Sequence, residues 1–599
     1  MSENASLTAT LVSFDPNTHR GKFSLEIRGI TGPTVDLVMP VWAPGAYELR
    51  ESAREIRELT AVRAGSETEV PVERVEKNRF RLRTEGVDHL LVRYTVYGHE
   101  ATDDGFDVTE DHLFLNATRT IPWVDGRERE PIDLVLWLPE GWNAYAELPR
   151  REERPVRFRA RSYEELVDTP VDCGRPVELL LRPGGIPHRL LLCGGPGNYE
   201  IHRLEEDVGR MVEAHLRYFG GSPLASYTFF VHLTDRRDGG LEHLASTAVV
   251  VERNSFRPAE EYERFLGLLS HEYFHLYNVK RIRPKALGPF DFTRENYTRL
   301  LWWMEGTTDY VSLLLLRRAG LLTLRRYREK LAELGARLLT IPGRAVTSLE
   351  EASQNAWIDL YRPYEETRNQ SVSYYLKGHL VSACLDLEIR HRTDNARSLD
   401  TVFSELWAEF RRTGAGIDDE AFWGRIERAA GTELGEFYRD YIRGTRELDL
   451  DQFVRHAGLS FGPVPRPSSG PESALPGYLG IEFANEGGRV RVKEVLDGGP
   501  GRRAGLAPGD EIVALDGARV LHDGFADALK RFPPGSSLTI DLFRRGLLRR
   551  LAVTTGTPPA AKYALTPVAA PTDREKEIHA SWLGSPWTPA PVAPAPPSD

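Results

Sequence analysis

The chain has 599 residues, including 77 Lys or Arg and 88 Asp or Glu, which gives a formal net charge of −11. This length exceeds what one hydrophobic core usually organises and predicts three or four domains. Hydrophobic residues at 41% and charged residues at 28% exclude a wholly disordered or fibrous chain. The acidic balance excludes the basic footprint of a nucleic-acid-binding protein.

The cysteines and the N-terminus give further expectations about the environment of the protein. Cys173, Cys193 and Cys384 lie far apart without a CxxC or Cys/His spacing, so the sequence predicts buried, reduced thiols and no disulfide framework or thiolate metal site. The first residues lack a basic and an apolar signal region, and no apolar run is long enough to span a membrane. We therefore expect a cytoplasmic protein with neither nucleic acid nor membrane as a partner.

Hydrophobic periodicity divides the chain into successive regions. Residues 1–192 mostly alternate with period two and predict an antiparallel β-sandwich, whereas residues 193–461 show helical periodicity and predict a mainly α domain with a short β segment at 227–233. Residues 462–474 form a Pro/Ser/Gly-rich linker before a compact β-rich domain at 475–556. Residues 557–599 are Pro/Ala-rich and predict a mostly extended tail, in which 578–583 could dock.

The most informative string is Ser270-His271-Glu272-Tyr273-Phe274-His275, within the helix predicted over 260–279. Histidines at positions i and i+4 lie on one helical face and can bind one zinc ion, and the intervening Glu272 is placed to act as a general base. A pair of partly exposed helix histidines is the alternative interpretation. The apolar neighbours of the motif favour the metal site, because they would bury the other face of the helix.

A catalytic zinc normally has three protein ligands, so a further ligand must come from elsewhere in the chain. Glu295 follows His275 at a spacing familiar in thermolysin-like enzymes, although a position near a helix start also explains an acidic residue. Glu305 lies in an apolar predicted helix, where a carboxylate needs a partner, and this argument favours it. Asp309, four residues further on, could accept the second N–H of a ligand histidine.

Several motifs together resemble the glycyl aminopeptidases, zinc metallopeptidases of the gluzincin group that carry a PDZ domain. They occur in the same order over nearly the whole chain: Pro40 to Tyr47, Leu166 to Pro170, Gly239 to His243, the HExxH string with Asn278 to Pro284, Glu305 to Tyr310, and Tyr374 to Gly378. The resemblance implies a multidomain α+β protein. Its parts would be an N-terminal antiparallel β-sandwich, a thermolysin-like mainly α catalytic domain and a C-terminal PDZ-like β domain.

The resemblance also implies roles for individual residues. His271, His275 and Glu305 match the ligands of one zinc ion, and Glu272 matches the general base. Glu242 matches the carboxylate that binds the free α-amine of the substrate, and we group Gly239, Gly240 and His243 with it; an ordinary strand-edge carboxylate is the alternative. Tyr375 matches the tyrosine that stabilises the oxyanion, with the adjacent Tyr374 as the obvious mis-assignment.

The C-terminal β-rich segment resembles a PDZ domain, in which backbone N–H groups of a loop receive a terminal carboxylate beside a strand edge. The matching loop residues are Tyr478, Leu479, Gly480 and Ile481. A C-terminal peptide is therefore a possible partner. A PDZ fold that serves only for packing is an equal alternative.

We expect from these features a zinc-dependent aminopeptidase that acts on peptides with a free N-terminus, removing glycine or alanine if it follows the family. A zinc endopeptidase or oligopeptidase whose PDZ-like domain captures substrate is the alternative within the same chemistry. A non-catalytic peptide-binding scaffold is a third possibility, but a structural zinc site would not need Glu272. A serine protease is disfavoured, because no Gly-x-Ser-x-Gly string accompanies a suitable His/Asp set.

Overall fold

The computed structural model describes residues 5–237, 239–466 and 475–589. The chain divides into two compact units. The first comprises Met1–Thr298, Val311–Leu322 and Phe403–Phe422; the second comprises Arg299–Tyr310, Thr323–Val402 and Trp423–Asp599. Within the described ranges we find no helix with the length and apolar character of a membrane span.

The first unit begins with three β-sheets. An eight-stranded sheet contains, in spatial order, Arg150–Glu153, Val156–Ala160, Ile132–Leu136, Leu7–Asp15, Arg20–Arg28, His89–Tyr97, Ile56–Arg63 and Glu69–Val70. One four-stranded sheet contains Asn143–Tyr145, Val171–Gly174, His112–Leu115 and Phe106–Val108, and the other contains Trp123–Val124, Thr34–Val38, Arg79–Arg83 and Val72–Glu76. Two short helices accompany them, Ala117–Thr120 and Tyr163–Val167.

Side chains from all three sheets share one apolar core. The alternating residues Phe23, Leu25 and Ile27 of the strand Arg20–Arg28 are all buried there, together with Leu82 and Val171 from the two smaller sheets. Alternation places every second residue on the inner face of a strand. The β-rich N-terminal domain is therefore confirmed. The predicted antiparallel arrangement holds except between Leu7–Asp15 and Ile132–Leu136, which pair in parallel because the segment between them forms other strands of the domain.

A five-stranded mixed sheet follows, in the spatial order Val177–Leu181, His188–Cys193, Tyr227–Thr234, Ser246–Glu252 and Gly240–Glu242. Its first two strands end at Leu181 and Cys193, whereas the sequence predicted that the mainly α domain begins at residue 193. His188–Cys193 pairs in parallel with Tyr227–Thr234, and such a pair needs a crossover, here through the helix Ile201–Phe219. The strands Val177–Leu181 and His188–Cys193 thus share a sheet with the following region, although the sequence assigned residues up to 192 to the N-terminal domain. Period-two strands look alike in sequence whichever sheet they join, so only the pairing assigns them.

The central region is helical, as predicted. Its helices are Ile201–Phe219, Ala259–Phe274, Thr308–Arg318, Leu324–Leu339, Leu349–Gln354, Ala356–Asp359, Thr367–Gln370, Tyr374–Arg392, Leu399–Thr413, Asp419–Ala430, Gly435–Phe437 and Leu450–Val454, with π-helical turns at Trp302–Thr307 and Tyr438–Ile442. The helix expected over 260–279 ends earlier, and Val279 has a φ of 98°, which no helix continues through.

A six-stranded sheet forms the C-terminal domain. Its main path is Ile481–Glu486, Arg489–Val495, Glu511–Leu515, Ser537–Arg544 and Leu547–Thr554, with Ala518–Arg519 beside the third strand and helices at Pro500–Ala504 and His522–Leu529. Within the second unit this domain contacts the segment before Tyr374–Arg392: Arg368 pairs with Glu482 at 2.8 Å, and Glu366 pairs with Arg502 at 2.6 Å. Of the predicted linker 462–474, residues 467–474 lie outside the described residues.

The segment after residue 556 differs from the predicted extended tail. Tyr563–Pro567 pairs with Leu459–Pro463, and the helix Asp573–Leu583 buries Ile578, Trp582 and Leu583. The Trp582 indole N–H donates to the Tyr310 hydroxyl at 2.7 Å. Composition suggested an extended chain, but the few apolar residues inside it are spaced to pack one helical face. Residues 590–599 of the predicted tail lie outside the described residues.

Candidate active site

The helix Ala259–Phe274 carries the two histidines of the HExxH string. His271 and His275 are buried, and their Nε2 atoms lie 2.8 Å apart. His275 is the C-cap residue but keeps a helical φ of −61°, so the i, i+4 relation holds across the helix end. Two imidazole nitrogens that converge in this way suit one shared metal ion. We call His271, Glu272 and His275 the helical cluster.

A backbone carbonyl orients one of these rings. The Nδ1 atom of His275 is 2.9 Å from the carbonyl oxygen of Asn278, to which an N–H at that position donates. The proton then sits on Nδ1 and the lone pair of Nε2 is available to a metal. Sequence reasoning suggested Asp309 as the outer partner of a ligand histidine. For His275 the partner of the Nδ1 atom is the Asn278 carbonyl, and the sequence indicated this contact only through the position of Asn278 just after the helix. For His271 the role of Asp309 stays a prediction.

The Glu272 carboxylate of the helical cluster lies close to a second buried carboxylate, that of Glu242. Glu242, on the strand Gly240–Glu242, is 4% exposed, and Glu272 is 3% exposed. One atom each from Glu242, Glu272 and His275 lies within 4.8 Å of the others. Two carboxylates this close repel one another unless a cation or a proton lies between them. The arrangement therefore suits a positively charged ligand.

The glycines before Glu242 explain how the strand approaches the helix. A Cβ on Gly240 would lie 2.5 Å from Oε1 of Glu272, so a larger residue would displace that carboxylate. Gly239 differs, since its added Cβ would meet Asp103 only at an ordinary 3.5 Å. Of the two glycines that the sequence grouped with substrate binding, Gly240 thus has a steric role beside Glu272.

A cavity of about 320 Å³ opens beside Glu242 and is lined by Trp42, Gly45, Asp168 and Arg281 among others. Gly45 has a φ of +103°, and a Cβ there would lie 2.6 Å from Oε2 of Glu242. The Gly45 backbone therefore limits the space on one side of the Glu242 carboxylate.

A buried cation lines the same cavity. Burial lowers the pKa of Arg281 to about 10.

His243, the neighbour of Glu242, faces a different group. Its Nδ1 atom lies 3.4 Å from a carboxylate oxygen of Asp168, which also pairs with Lys280 at 2.8 Å. Burial alone would raise the pKa of Asp168, but Lys280 and His243 hold it below its usual value. This links the Leu166–Pro170 motif to the string that contains Glu242.

In the second unit, Glu305 lies in the π-helical turn Trp302–Thr307 and is 2% exposed. A π turn inside a helix is frequent at functional sites. A Cβ on Gly306 would lie 2.5 Å from the Tyr374 carbonyl oxygen and 2.7 Å from Cα of Gly378. The two glycines thus let the turn and the helix Tyr374–Arg392 touch backbone to backbone, which explains why both motifs contain one.

This contact brings Glu305 near Tyr375. Burial and then the Glu305 carboxylate raise the pKa of Tyr375 well above its ordinary value, so its phenol keeps its proton and can donate it. The Tyr375 hydroxyl also lies 3.3 Å from that of Tyr361. Tyr374 stacks on Tyr375 with ring centroids 4.8 Å apart and is itself buried.

Glu295, the alternative ligand, lies in the loop between residues 291 and 298 rather than near a helix start. It is half-buried there. Among the described residues of the first unit, it joins no group of three or more metal-capable side chains.

The predicted carboxylate-binding loop of the C-terminal domain precedes its edge strand Ile481–Glu486. Leu479 is buried, Tyr478 bridges to Gly556, and Gly480 has a φ of +69° that favours glycine. The carbonyl of Gly480 accepts from the Leu496 N–H at 2.8 Å. The loop is thus held at both ends beside a strand edge, and its use by a terminal carboxylate stays a prediction.

Comparison with known families matches three segments of the chain. Residues 9–175 match the peptidase M61 N-terminal domain, residues 264–381 match the M61 glycyl aminopeptidase family, and residues 477–555 match the PDZ domain. The second match contains the helical cluster, Glu305 and Tyr375.

The chain is also similar to individual proteins, to different extents. An aminopeptidase N family protein from Idiomarina loihiensis is 29% identical, with a TM-score of 0.88, and the alignment covers 96% of this chain and 100% of that one. A candidate zinc metalloprotease of Ralstonia nicotianae is 32% identical over 161 residues, which make up 26% of this chain and 33% of the relative. An M1 zinc metallopeptidase from Deinococcus radiodurans is 15% identical, with a TM-score of 0.47, over 75% of this chain and 95% of that one.

The matched segments support a metallopeptidase. They correspond to an N-terminal M61 domain, an M61 glycyl aminopeptidase domain and a C-terminal PDZ domain, as the sequence motifs predicted. The chain covers 33% of the length of the curated relative that it matches.

Proposed function

We propose that the protein is an aminopeptidase that removes N-terminal glycine or alanine from peptides at one catalytic zinc ion per chain. The observation that carries this proposal is the buried Glu242 carboxylate, which lies within 4.8 Å of donor atoms of Glu272 and His275. A carboxylate excluded from water beside the reaction centre attracts the protonated α-amine of a peptide. Binding that charge would align the first peptide bond with the catalytic groups.

His271, His275 and Glu305 are proposed as the zinc ligands. Support comes from the converging Nε2 atoms, from the Asn278 carbonyl that orients His275, and from the burial of Glu305 in a π turn. When bound, zinc polarises the scissile carbonyl and makes a water molecule acidic enough to lose its proton near neutral pH.

The chain's own residues supply the proton transfer and the charge stabilisation. Glu272 takes the proton of the attacking water and returns it to the leaving amine. Tyr375 donates a hydrogen bond to the carbonyl oxygen as negative charge develops there. The raised pKa of Tyr375 keeps that proton available throughout the neutral range.

A preference for small first residues is proposed from the glycyl aminopeptidase family that residues 264–381 match. The Gly45 backbone closes one side of the Glu242 carboxylate, since an added Cβ would lie 2.6 and 2.8 Å from its oxygens. The cavity beside Glu242 measures about 320 Å³, so the family match, and not the cavity volume, carries this preference.

The decisive experiment compares a glycyl peptide with its N-acetylated form. The wild type should cleave the free peptide one residue at a time and the acetylated peptide poorly, because acetylation removes the charge that Glu242 binds. Glu242→Gln should lower kcat/KM for the free peptide by roughly 30- to 1,000-fold, or about 2–4 kcal/mol for breaking a buried charge pair. Glu164→Gln, a carboxylate that lines the same cavity, is the matched control. Efficient internal cleavage of acetylated peptides would instead establish the endopeptidase.

The ligand assignment has its own test. Glu305→Gln should reduce the zinc content by one ion per chain and abolish turnover, because a catalytic site with only two protein ligands binds zinc weakly. Glu295→Gln should retain both zinc and turnover. The reverse pattern in elemental analysis would make Glu295 the ligand.

A further inference from the structure

Four metal-capable side chains meet in the first unit, apart from the helical cluster. They are His112, Asp172, Cys193 and His232, and one donor atom of each lies within 4.8 Å of the others. Asp172 is 0% exposed, Cys193 2% and His232 4%. We call these four residues the strand cluster.

Strand pairing brings the four residues together. Cys193 and His232 are direct partners across the parallel strands His188–Cys193 and Tyr227–Thr234. Asp172 and His112 lie on the neighbouring antiparallel strands Val171–Gly174 and His112–Leu115 of a different sheet. The donors thus come from regular strands of two sheets, which hold side chains more firmly than loops do.

The polar contacts within the strand cluster leave one atom unsatisfied. Oδ2 of Asp172 is 2.7 Å from Nε2 of His112 and 3.0 Å from Nε2 of His232. Oδ1 of Asp172 is buried and has no hydrogen-bond partner in the described part of the chain. Leaving a buried carboxylate oxygen unpaired is costly, and a cation would supply the missing partner.

The surroundings favour entry of a cation. His112, Cys193 and His232 line a cavity of about 440 Å³. Four acidic residues also line it, against the two arginines Arg236 and Arg253: Asp107, Glu110, Asp111 and Asp235. An excess of negative charge around a cleft raises the local concentration of cations.

We propose that the strand cluster binds a second zinc ion with a structural role. Two imidazoles, a thiolate and a carboxylate match the donors that zinc accepts, and four protein ligands leave no open position for a substrate. Tetrahedral bonds of about 2.0–2.3 Å put donors about 3.3–3.8 Å apart. On binding, the Asp172 oxygen would therefore move away from the two Nε2 atoms, which lie 2.7 and 3.0 Å from it, whereas donors separated by up to 4.8 Å would approach one another. The ion would join the sheet that carries Asp172 to the sheet that carries Cys193. A hydrogen-bonded group without metal is the alternative, in which the Asp172 carboxylate accepts from the two imidazoles and from the Cys193 thiol.

Cobalt substitution tests this proposal on the full chain, because the strand cluster contains a cysteine and the helical cluster does not. Apoprotein loaded with Co²⁺ should show a thiolate-to-cobalt charge-transfer band in the near ultraviolet. The band should persist in the double variant His271→Ala/His275→Ala, which should also retain one zinc ion per chain by elemental analysis.

Matched variants assign the band. Cys193→Ser should abolish it, whereas Cys384→Ser, at another buried free cysteine, should leave it unchanged. If Cys193→Ser fails to fold, Asp172→Asn with its intact thiol should still weaken cobalt binding at least tenfold in a competitive titration. Absence of the band from the wild type, together with no zinc in the His271→Ala/His275→Ala variant, would overturn the proposal and leave the hydrogen-bonded group.

Discussion

The helical cluster and the strand cluster use similar chemistry but are built differently. Each contains two histidines and at least one carboxylate. In the helical cluster the two Nε2 atoms face each other at 2.8 Å, and a backbone carbonyl orients one ring from behind. In the strand cluster the Asp172 carboxylate lies between the two rings, at 2.7 and 3.0 Å.

This difference separates a site suited to catalysis from one suited to structure. The helical cluster contains Glu272 beside its two histidines, and Glu242 lies next to it at the edge of a cavity. The site therefore combines a candidate general base with a place for a charged substrate. The strand cluster supplies four donors and no separate base. Changes to the first should therefore act on turnover, and changes to the second on metal content and stability.

The largest effect should come from Glu272→Gln. Loss of the general base should lower kcat by about 10²–10⁴-fold, with zinc content and the cobalt–thiolate band unchanged. Steady-state kinetics and elemental analysis measure both quantities. Glu260→Gln, an exposed carboxylate on the first turn of the same helix, is the control. Loss of metal along with activity in Glu272→Gln would show that Glu272 is a metal ligand and would contradict its role as a general base.

Tyr375→Phe should come next, with a loss of about 10²–10³-fold in kcat if it donates to the oxyanion. KM for a glycyl substrate should change little, because the charge it stabilises develops only in the transition state. Tyr374→Phe is the matched control on the same helix turn. A silent Tyr375→Phe beside a damaging Tyr374→Phe would move the assignment by one residue.

The smallest effect concerns the glycines that position each part of the catalytic domain. Gly306→Ala should destabilise the protein by about 1–3 kcal/mol and reduce turnover, because its Cβ would lie 2.5 Å from the Tyr374 carbonyl oxygen. Gly267→Ala, in the HExxH helix, has open space around its Cβ and should stabilise by about 0.5–1 kcal/mol. Denaturant unfolding with parallel activity assays compares the two. Equal stability and equal turnover in both variants would show that the π turn does not depend on this close approach.

Parts of the molecule that rest on short spacings could be predicted from the sequence. The pair His271 and His275 needs only helical geometry, and the helical periodicity of residues 193–461 predicts a mainly α region, as the structure shows. The alternation at Phe23, Leu25 and Ile27 likewise identifies an inward face of a strand. Family motifs added the order of the domains and the candidate role of Tyr375.

Other features depend on residues far apart in the chain. Asn278 orients His275 through a backbone carbonyl, which no side-chain pattern reveals. The Pro/Ala-rich composition after residue 556 predicted a mostly extended tail in which 578–583 could dock. The structure buries part of that segment in the helix Asp573–Leu583, and the partner of its Trp582, the distant Tyr310, could not be read from the sequence. Strands before residue 193 belong to the central sheet because of their partners, not their composition.

Cys193 shows this limit most clearly. By spacing, the three cysteines indicated no thiolate metal site. The histidine on the strand of Cys193, His188, lies an odd number of residues away and so on the opposite face of the sheet. Parallel pairing sets it directly opposite His232, and a second sheet adds His112 and Asp172. Local sequence determines donors that share one helix turn, because the peptide geometry is fixed over that distance. Donors on separate strands meet only once the sheets have formed, so the tertiary structure alone decided the strand cluster.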